Sequence, residues 1–165
     1  MLCKLYRRSV PEKFHRRYRR YVNRPSVRRQ IEKIRYLRGR KRTGPAAGNV
    51  YDLTPAFQEL NRKYFHGLLA RPGLGWSRLP SRTALGHFDS AHNIITLSRF
   101  LDRQEVPEIV VKFILYHEML HLKHPIEHCA GTRRVHPRSF VRDEKKFEHY
   151  KEARTALKTL LSLNL

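Results

Sequence analysis

The segment HEMLH at residues 117–121 constrains this chain more than any other feature, because it is an H-E-x-x-H pattern inside an apolar stretch. Residues four apart share one helix face, so His117 and His121 can bind one zinc ion (Zn2+) while Glu118 reaches a water on it. Apolar residues precede the pattern at helical spacing: Ile109, Val110, Phe113, Ile114 and Tyr116. Two unpaired histidines on such a buried helix would be costly. The pattern therefore predicts a zinc site, with Glu118 as the general base that activates water for peptide hydrolysis.

A third metal ligand must lie elsewhere in the chain, because a catalytic zinc ion takes three protein ligands and keeps one position open. The metzincin continuation fails, since it needs Gly where His124 stands and His where Glu127 stands. His136 is the preferred candidate, because it opens the next predicted helix after a turn. The alternatives are His124, His128, Glu144 and Glu148.

The rest of the pattern predicts an α+β domain with a small antiparallel sheet packed on helices. The expected elements in chain order are a helix capped by Thr54 and ended by Gly67, strands within LGWSRL, ALGHFD and NIITLS, and helices over about Pro107–His124 and Ser139–Leu161. The second and third strands are close enough along the chain to form a hairpin. ALGHFD or NIITLS could lie at the sheet edge and hold an extended substrate above the zinc. The alternative is a core strand with Ile94, Ile95 and Leu97 inward.

Positive charge is concentrated at the start of the chain. Residues 1–44 hold 17 Lys and Arg against two Glu, a net charge of +15, whereas residues 45–165 have a net charge of +6. A polyanionic partner is therefore expected. Within this basic N-terminal arm, apolar residues recur at helical spacing after Pro25, which predicts a short amphipathic helix followed by a linker in RGRKRTGPAAG.

Aromatic residues are interleaved with arginines in this arm, at Phe14, Tyr18 and Tyr21. Arginines neutralise phosphates and aromatic rings stack on bases, so the mixture predicts binding of single-stranded nucleic acid, with DNA as the expected partner. The expected contacts are Arg16, Arg17, Arg19, Arg20, Arg28 and Arg29. The competing interpretations are a solvated charge run, an arm folded onto the following domain and a helix on anionic lipid.

Over most of residues 51–150 the sequence resembles the SprT-like, Spartan-related family of zinc metallopeptidases. The resemblance rests on FQELNRKYFHGLL and the following WS, on LGHFD and NIITLS, on VVKFILYHEMLHLKH, and on HPRSFVRDEKKFEHY. It implies a zincin-like fold for residues 45–165, zinc ligation by His117, His121 and His136, and Glu118 as the general base. With two cysteines, the chain departs from family members that carry a four-cysteine zinc ribbon, so recruitment through such a ribbon is not expected.

These observations together predict a zinc-dependent endopeptidase, with proteins bound or crosslinked to DNA as the expected substrates. Two rival hypotheses stay open: a nucleic-acid-binding protein with a structural metal site, and a general cytosolic metallopeptidase without DNA dependence. We expect a cytoplasmic or nucleoid-associated protein with reduced thiols and no membrane span. Glu144 or Asp143 is expected to orient a ligand imidazole, and Tyr150, His149 or an arginine to stabilise the oxyanion.

Overall fold

The computed structural model describes residues 17, 20, 21, 24–38, 43–124, 126–129 and 132–162. The chain divides into two compact units, Met1–Arg40 with Ile126–Val135 and Lys41–Pro125 with His136–Leu165. The domain boundary expected after residue 44 stays a prediction. Within the described residues, no helix is both long enough and apolar enough to cross a membrane.

The described part of the first unit contains a basic helix and a short hairpin. Helix α1 is Pro25–Arg38, so the helix predicted after Pro25 is confirmed. Proline suits the first turn of a helix, because its fixed φ is helical and its missing N–H would have had no partner there. The hairpin pairs Glu127–Cys129 with Thr132–Arg134 in antiparallel fashion.

The second unit is a mixed α+β domain built on a three-stranded sheet. Strands β1 (Gly73–Trp76), β2 (Gly86–Asp89) and β3 (Ile94–Leu97) lie in the order β1-β3-β2. The predicted hairpin of β2 and β3 is confirmed, and the central position of β3 buries Ile95 and Leu97 completely. The β3 strand is therefore the core strand, and β2 lies at the end of the sheet.

The expectation of a wholly antiparallel sheet is wrong, because β1 pairs with β3 in parallel. A hairpin reverses the chain, so β3 must run opposite to β2. The β3 strand lies between β1 and β2, and there it runs parallel to β1 and opposite to β2. Loop lengths in the sequence show where the hairpin is, but they do not show which gap the third strand enters.

Helix α2 comprises Leu53–Phe65, and its N-cap is Asp52 rather than the predicted Thr54. The Asp52 carboxylate accepts a hydrogen bond from the backbone N–H of Thr54 at 2.8 Å, which satisfies a donor that the helix itself cannot. Capping by Asp52 lets Leu53 enter the first turn, where it is fully buried. The helix ends at His66, which has a left-handed conformation with a φ of 55°.

The segment 43–48, predicted as part of a linker, is instead packed on β1. Gly44 donates its N–H to the Trp76 carbonyl at 2.8 Å, and Trp76 donates its N–H to the Pro45 carbonyl at 3.2 Å. The Trp76 indole N–H also donates to the Ala46 carbonyl at 3.0 Å. Gly75 makes this approach possible, because a Cβ there would overlap the Gly44 carbonyl. This segment therefore makes close backbone contact with β1, and the linker prediction is wrong for it.

Helix α3 comprises Glu108–Lys123 between Pro107 and His124, as predicted. It packs against α2, β2 and β3. Most of its residues are buried, and they are Val110, Val111, Phe113, Ile114, Leu115, Tyr116, Glu118, Met119 and Leu120. A helix that is apolar on most of its faces belongs in the middle of a domain, which places the H-E-x-x-H segment in the interior.

The single C-terminal helix predicted over Ser139–Leu161 is wrong, because the structure contains two helices there. Helix α4 is Arg138–Glu144 and helix α5 is Tyr150–Ser162. The Tyr116 hydroxyl donates to the Asp143 carbonyl at 2.7 Å, while the Phe147 N–H turns to the Glu144 carbonyl. The Asp143 carbonyl therefore accepts a tertiary hydrogen bond from α3, the Phe147 N–H bonds one residue nearer than in a continuous α-helix, and Phe147 enters the core.

Candidate metal centre

Three histidines converge on one point in the second unit. His117 and His121 lie one turn apart on α3, and His136 precedes α4 by two residues. One ring nitrogen from each lies within 4.8 Å of the others, and the Nε2 atoms of His121 and His136 are 3.3 Å apart. Among the described residues this is the one cluster whose donor atoms could hold a metal ion.

The separation of two of these nitrogens matches that of ligands on a tetrahedral zinc ion. Zinc binds imidazole nitrogen at about 2.0–2.1 Å, so two such ligands in tetrahedral geometry stand about 3.3–3.4 Å apart. The 3.3 Å separation of His121 and His136 lies at that value. Three neutral imidazoles are also the donor set of known catalytic zinc sites.

The other proposed third ligands are engaged elsewhere. The His124 Nε2 atom lies 2.9 Å from an Asp143 carboxylate oxygen, and Glu148 pairs with Lys63 at the surface. Glu144 contacts His117 rather than joining the cluster as a ligand. The His128 side chain lies outside the described residues.

Glu144 is placed to orient the His117 ring. Its Oε1 atom lies 2.6 Å from His117 Nδ1, and the carboxylate is largely buried. Burial alone would raise the pKa of Glu144, but the hydrogen bond from His117 and the electrostatic interactions with His117, His136 and Arg154 outweigh it and lower the pKa. An ionised Glu144 holds a proton on Nδ1 and leaves Nε2 of His117 free to bind a metal.

The surroundings of His121 and His136 favour the neutral form of these two imidazoles. Burial, together with the nearby His117 and His136, lowers the pKa of His121 to about 4. Burial and His117 also lower the pKa of His136. A metal ion binds the neutral ring, so little protonation of His121 and His136 opposes metal binding at neutral pH.

The buried ring of Phe140 contacts all three histidines, with ring centroids 4.6 to 5.0 Å apart.

Glu118, the predicted general base, is buried on α3 with 6% of its surface exposed. Its side chain lies against Gly86 at the start of β2, where a Cβ would stand 2.5 Å from Glu118 Oε1. Sequence reasoning missed Gly86 as part of the site. The signal available was a glycine inside the strand run LGHFD, since such a glycine often marks a close approach.

Asp143 has a role that the sequence did not indicate. Its carboxylate is buried and binds the ammonium groups of Lys123 and Lys146, each at 2.7 Å, as well as His124. Burial would raise the pKa of Asp143, but these three hydrogen-bonded partners lower it strongly. Asp143 therefore joins α4 to the last turn of α3, and its carboxylate contacts His124 rather than a histidine of the cluster.

The remaining predicted site residues fall into two groups. For oxyanion stabilisation, the Tyr150 hydroxyl accepts a hydrogen bond from Arg154 at 3.0 Å, and His149 lies 3.6 Å from Glu152. Their proposed role stays a prediction. For nucleic-acid binding, Arg17, Arg20 and Arg29 are exposed helical residues and Arg28 lies on α1, whereas Arg16 and Arg19 lie outside the described residues.

Comparisons with known proteins yield no match to this chain among protein-family models, curated proteins or solved structures. The class that fold and site define is therefore limited to a mixed α+β domain with a cluster of three histidines.

Proposed function

We propose that this chain is a zinc-dependent endopeptidase with a zincin-like, SprT-like catalytic domain in its second unit. The observation that carries the proposal is the convergence of His117, His121 and His136, with Glu118 buried next to the first of them along α3. A surface histidine cluster would not need a buried carboxylate beside it. The 2.6 Å contact of Glu144 with His117 adds the outer carboxylate that zinc-binding histidines usually have.

In this proposal the three histidines hold the zinc ion through ring nitrogens, and Glu144 fixes the His117 tautomer. Zinc held there would supply a water molecule of lowered pKa and a Lewis acid for the carbonyl group of a peptide. The Glu118 carboxylate takes a proton from the attacking water and returns it to the leaving amine. Burial of Glu118 keeps competing water away from this proton transfer.

The position of β2 supports an extended peptide as the substrate. This strand is at the end of the sheet, and its first residue, Gly86, lies against Glu118. An end strand can pair with a peptide through backbone hydrogen bonds, which recognise the chain regardless of its side chains. Such pairing would bring a peptide bond close to the general base.

Replacement of Glu118 by Gln tests the assigned chemistry. The variant keeps the shape of the side chain, so it should bind zinc like the wild type and lose cleavage of an unfolded protein substrate. His136→Ala should lose zinc, whereas His149→Ala removes an exposed histidine outside the cluster and serves as the control for zinc content alone. Zinc content is measured on the purified proteins. Cleavage that persists in Glu118→Gln would refute the assigned base, and zinc binding without any wild-type cleavage would favour a structural metal site.

The basic arm supports a more specific proposal, that the substrates are proteins held on DNA. The arm carries most of the net charge of the chain, and Arg29 and Lys33 are exposed on α1. Each arginine that neutralises a phosphate releases counterions, so binding should weaken steeply with salt.

Digestion of a DNA-bound protein should be compared with digestion of the free protein at low and high salt. The proposal expects faster cleavage on DNA at low salt and a loss of that advantage at high salt. Charge reversal of Arg28 and Arg29 should reduce the advantage, whereas reversal of Arg62 and Arg78, which are exposed in the second unit, should leave it unchanged. Equal rates on free and DNA-bound protein would support a general peptidase instead.

A further inference from the structure

The backbone conformation of β2 does not require a glycine at position 86. Gly67 is the one described glycine with a positive φ, so the conformation of Gly86 is open to other residues. The space beside its Cα is not open. A Cβ at this position would lie 2.5 Å from Glu118 Oε1, 2.9 Å from Cγ and 3.0 Å from Cδ. A side chain at position 86 would therefore force Glu118 to move.

Neither partner in this contact has an easy way to move. The strand is fixed by pairing of Gly86 with Leu97 on β3, and the N–H of Ser98 donates to the Leu85 carbonyl at 2.8 Å. Glu118 is on the most buried helix of the domain. Because the overlap includes Cγ and Cδ, rotation of the terminal carboxylate alone would not relieve it. The whole Glu118 side chain would have to take another rotamer.

We propose that Gly86 is a positioning residue for Glu118, and that the missing side chain reserves the volume in which the carboxylate is held for proton transfer. This inference rests on the proposed function for the role of Glu118. The contact itself does not depend on that function, so the two can be tested separately.

A stability cycle tests the contact. Gly86→Ala should lower the Tm by about 3 to 9 °C, the range expected for one overpacked methyl group in a domain of this size. In a Glu118→Ala background the same substitution should cost little, because the atoms that it would meet are gone. Gly73→Ala is the matched control, since Gly73 also begins a strand at the end of the sheet and a Cβ there would meet the Ile94 side chain instead. Its effect should be the same in both backgrounds.

An equal Tm loss from Gly86→Ala in both backgrounds would overturn the proposal. If the single variant Gly86→Ala does not fold, folding of the double variant Gly86→Ala, Glu118→Ala supports the contact. Failure of the single and the double variant to fold overturns it.

Kinetics test the positioning role. Gly86→Ala should retain the zinc content of the wild type and lower kcat by about tenfold or more, with KM changed by less than about threefold, because only the base is displaced. If the Tm loss from Gly86→Ala depends on Glu118 but kcat is unchanged, the positioning role is overturned. If the wild type neither binds zinc nor cleaves protein, the proposed function fails, and the Tm cycle still reports whether Gly86 and Glu118 are coupled.

Discussion

Replacement of Glu144 should weaken zinc binding by a predictable amount. Its bond to His117 joins a carboxylate to a ring N–H at 2.6 Å, with the carboxylate 17% exposed. Hydrogen bonds to charged groups contribute about 1.5–3 kcal/mol, and each 1.4 kcal/mol changes an equilibrium constant about tenfold. Loss of the bond should therefore raise the zinc Kd by about 10-fold to 100-fold, the range seen for outer-shell partners of metal ligands. Glu144→Gln keeps an acceptor oxygen and should fall at the lower end, and Glu144→Ala at the upper end.

Competition with a chromophoric zinc chelator at pH 7 measures this Kd. Glu148→Gln is the matched control, because it removes the same charge from an exposed side chain that pairs with Lys63. An equal effect of Glu148→Gln would mean that net charge, not the contact, controls affinity. A Kd for Glu144→Ala within about twofold of the wild type, in a protein whose zinc binding requires His117, would refute the orienting role.

Three further predictions concern stability. Asp143→Asn should lower the free energy of unfolding at pH 7 by about 1–3 kcal/mol, because a buried acceptor of several hydrogen bonds loses its charge. The folded-state pKa of Asp143 lies below its ordinary value of 3.8, so this stabilisation is present above pH 3.8 and is lost as the pH falls. The free energies of unfolding in urea of the variant and the wild type should therefore converge in acid. A difference that stays constant with pH would contradict the assignment. Asp52→Ala should cost about 1 kcal/mol by urea unfolding whereas Asp52→Asn should cost less, and equal losses would show that the cap contributes little. Removal of zinc by a chelator should leave a cooperative thermal transition, because α4 is held by Asp143 and Glu144 contacts; unfolding on chelation would contradict this.

The parts of the site that lie on one helix were predictable from the sequence. His117 and His121 are four residues apart, and helical geometry alone brings such residues to one face. Apolar residues before them and a proline on either side predict the helix and its ends, which the structure confirms to within one residue. His136 is a different case, since its position depends on how the chain returns to α3. Its assignment as a ligand came from the family resemblance, and its ligand role stays a prediction.

The parts that depend on tertiary contacts were not predictable in this way. The C-terminal segment has a helical pattern throughout, but at the break after Glu144 the Asp143 carbonyl accepts from Tyr116 on α3 and Phe147 is buried in the core. Thr54 and Asp52 are both suitable caps, and the burial of Leu53 decides between them. The need for glycine at position 86 is likewise set by a residue 32 positions later, which no local pattern contains.

The two neighbouring acids of α4 explain how a short helix can hold His136, a candidate metal ligand, in place. Seven residues are too few for an isolated helix to be stable in water. Glu144 attaches α4 to His117, while Asp143 attaches it to Lys123 and His124, two turns further along α3. Because these contacts lie at two separate places along α3, they fix both the position and the direction of α4. His136 precedes α4 by two residues. The third imidazole is therefore brought to the other two by protein contacts, so a metal ion would enter a site that is already arranged for it.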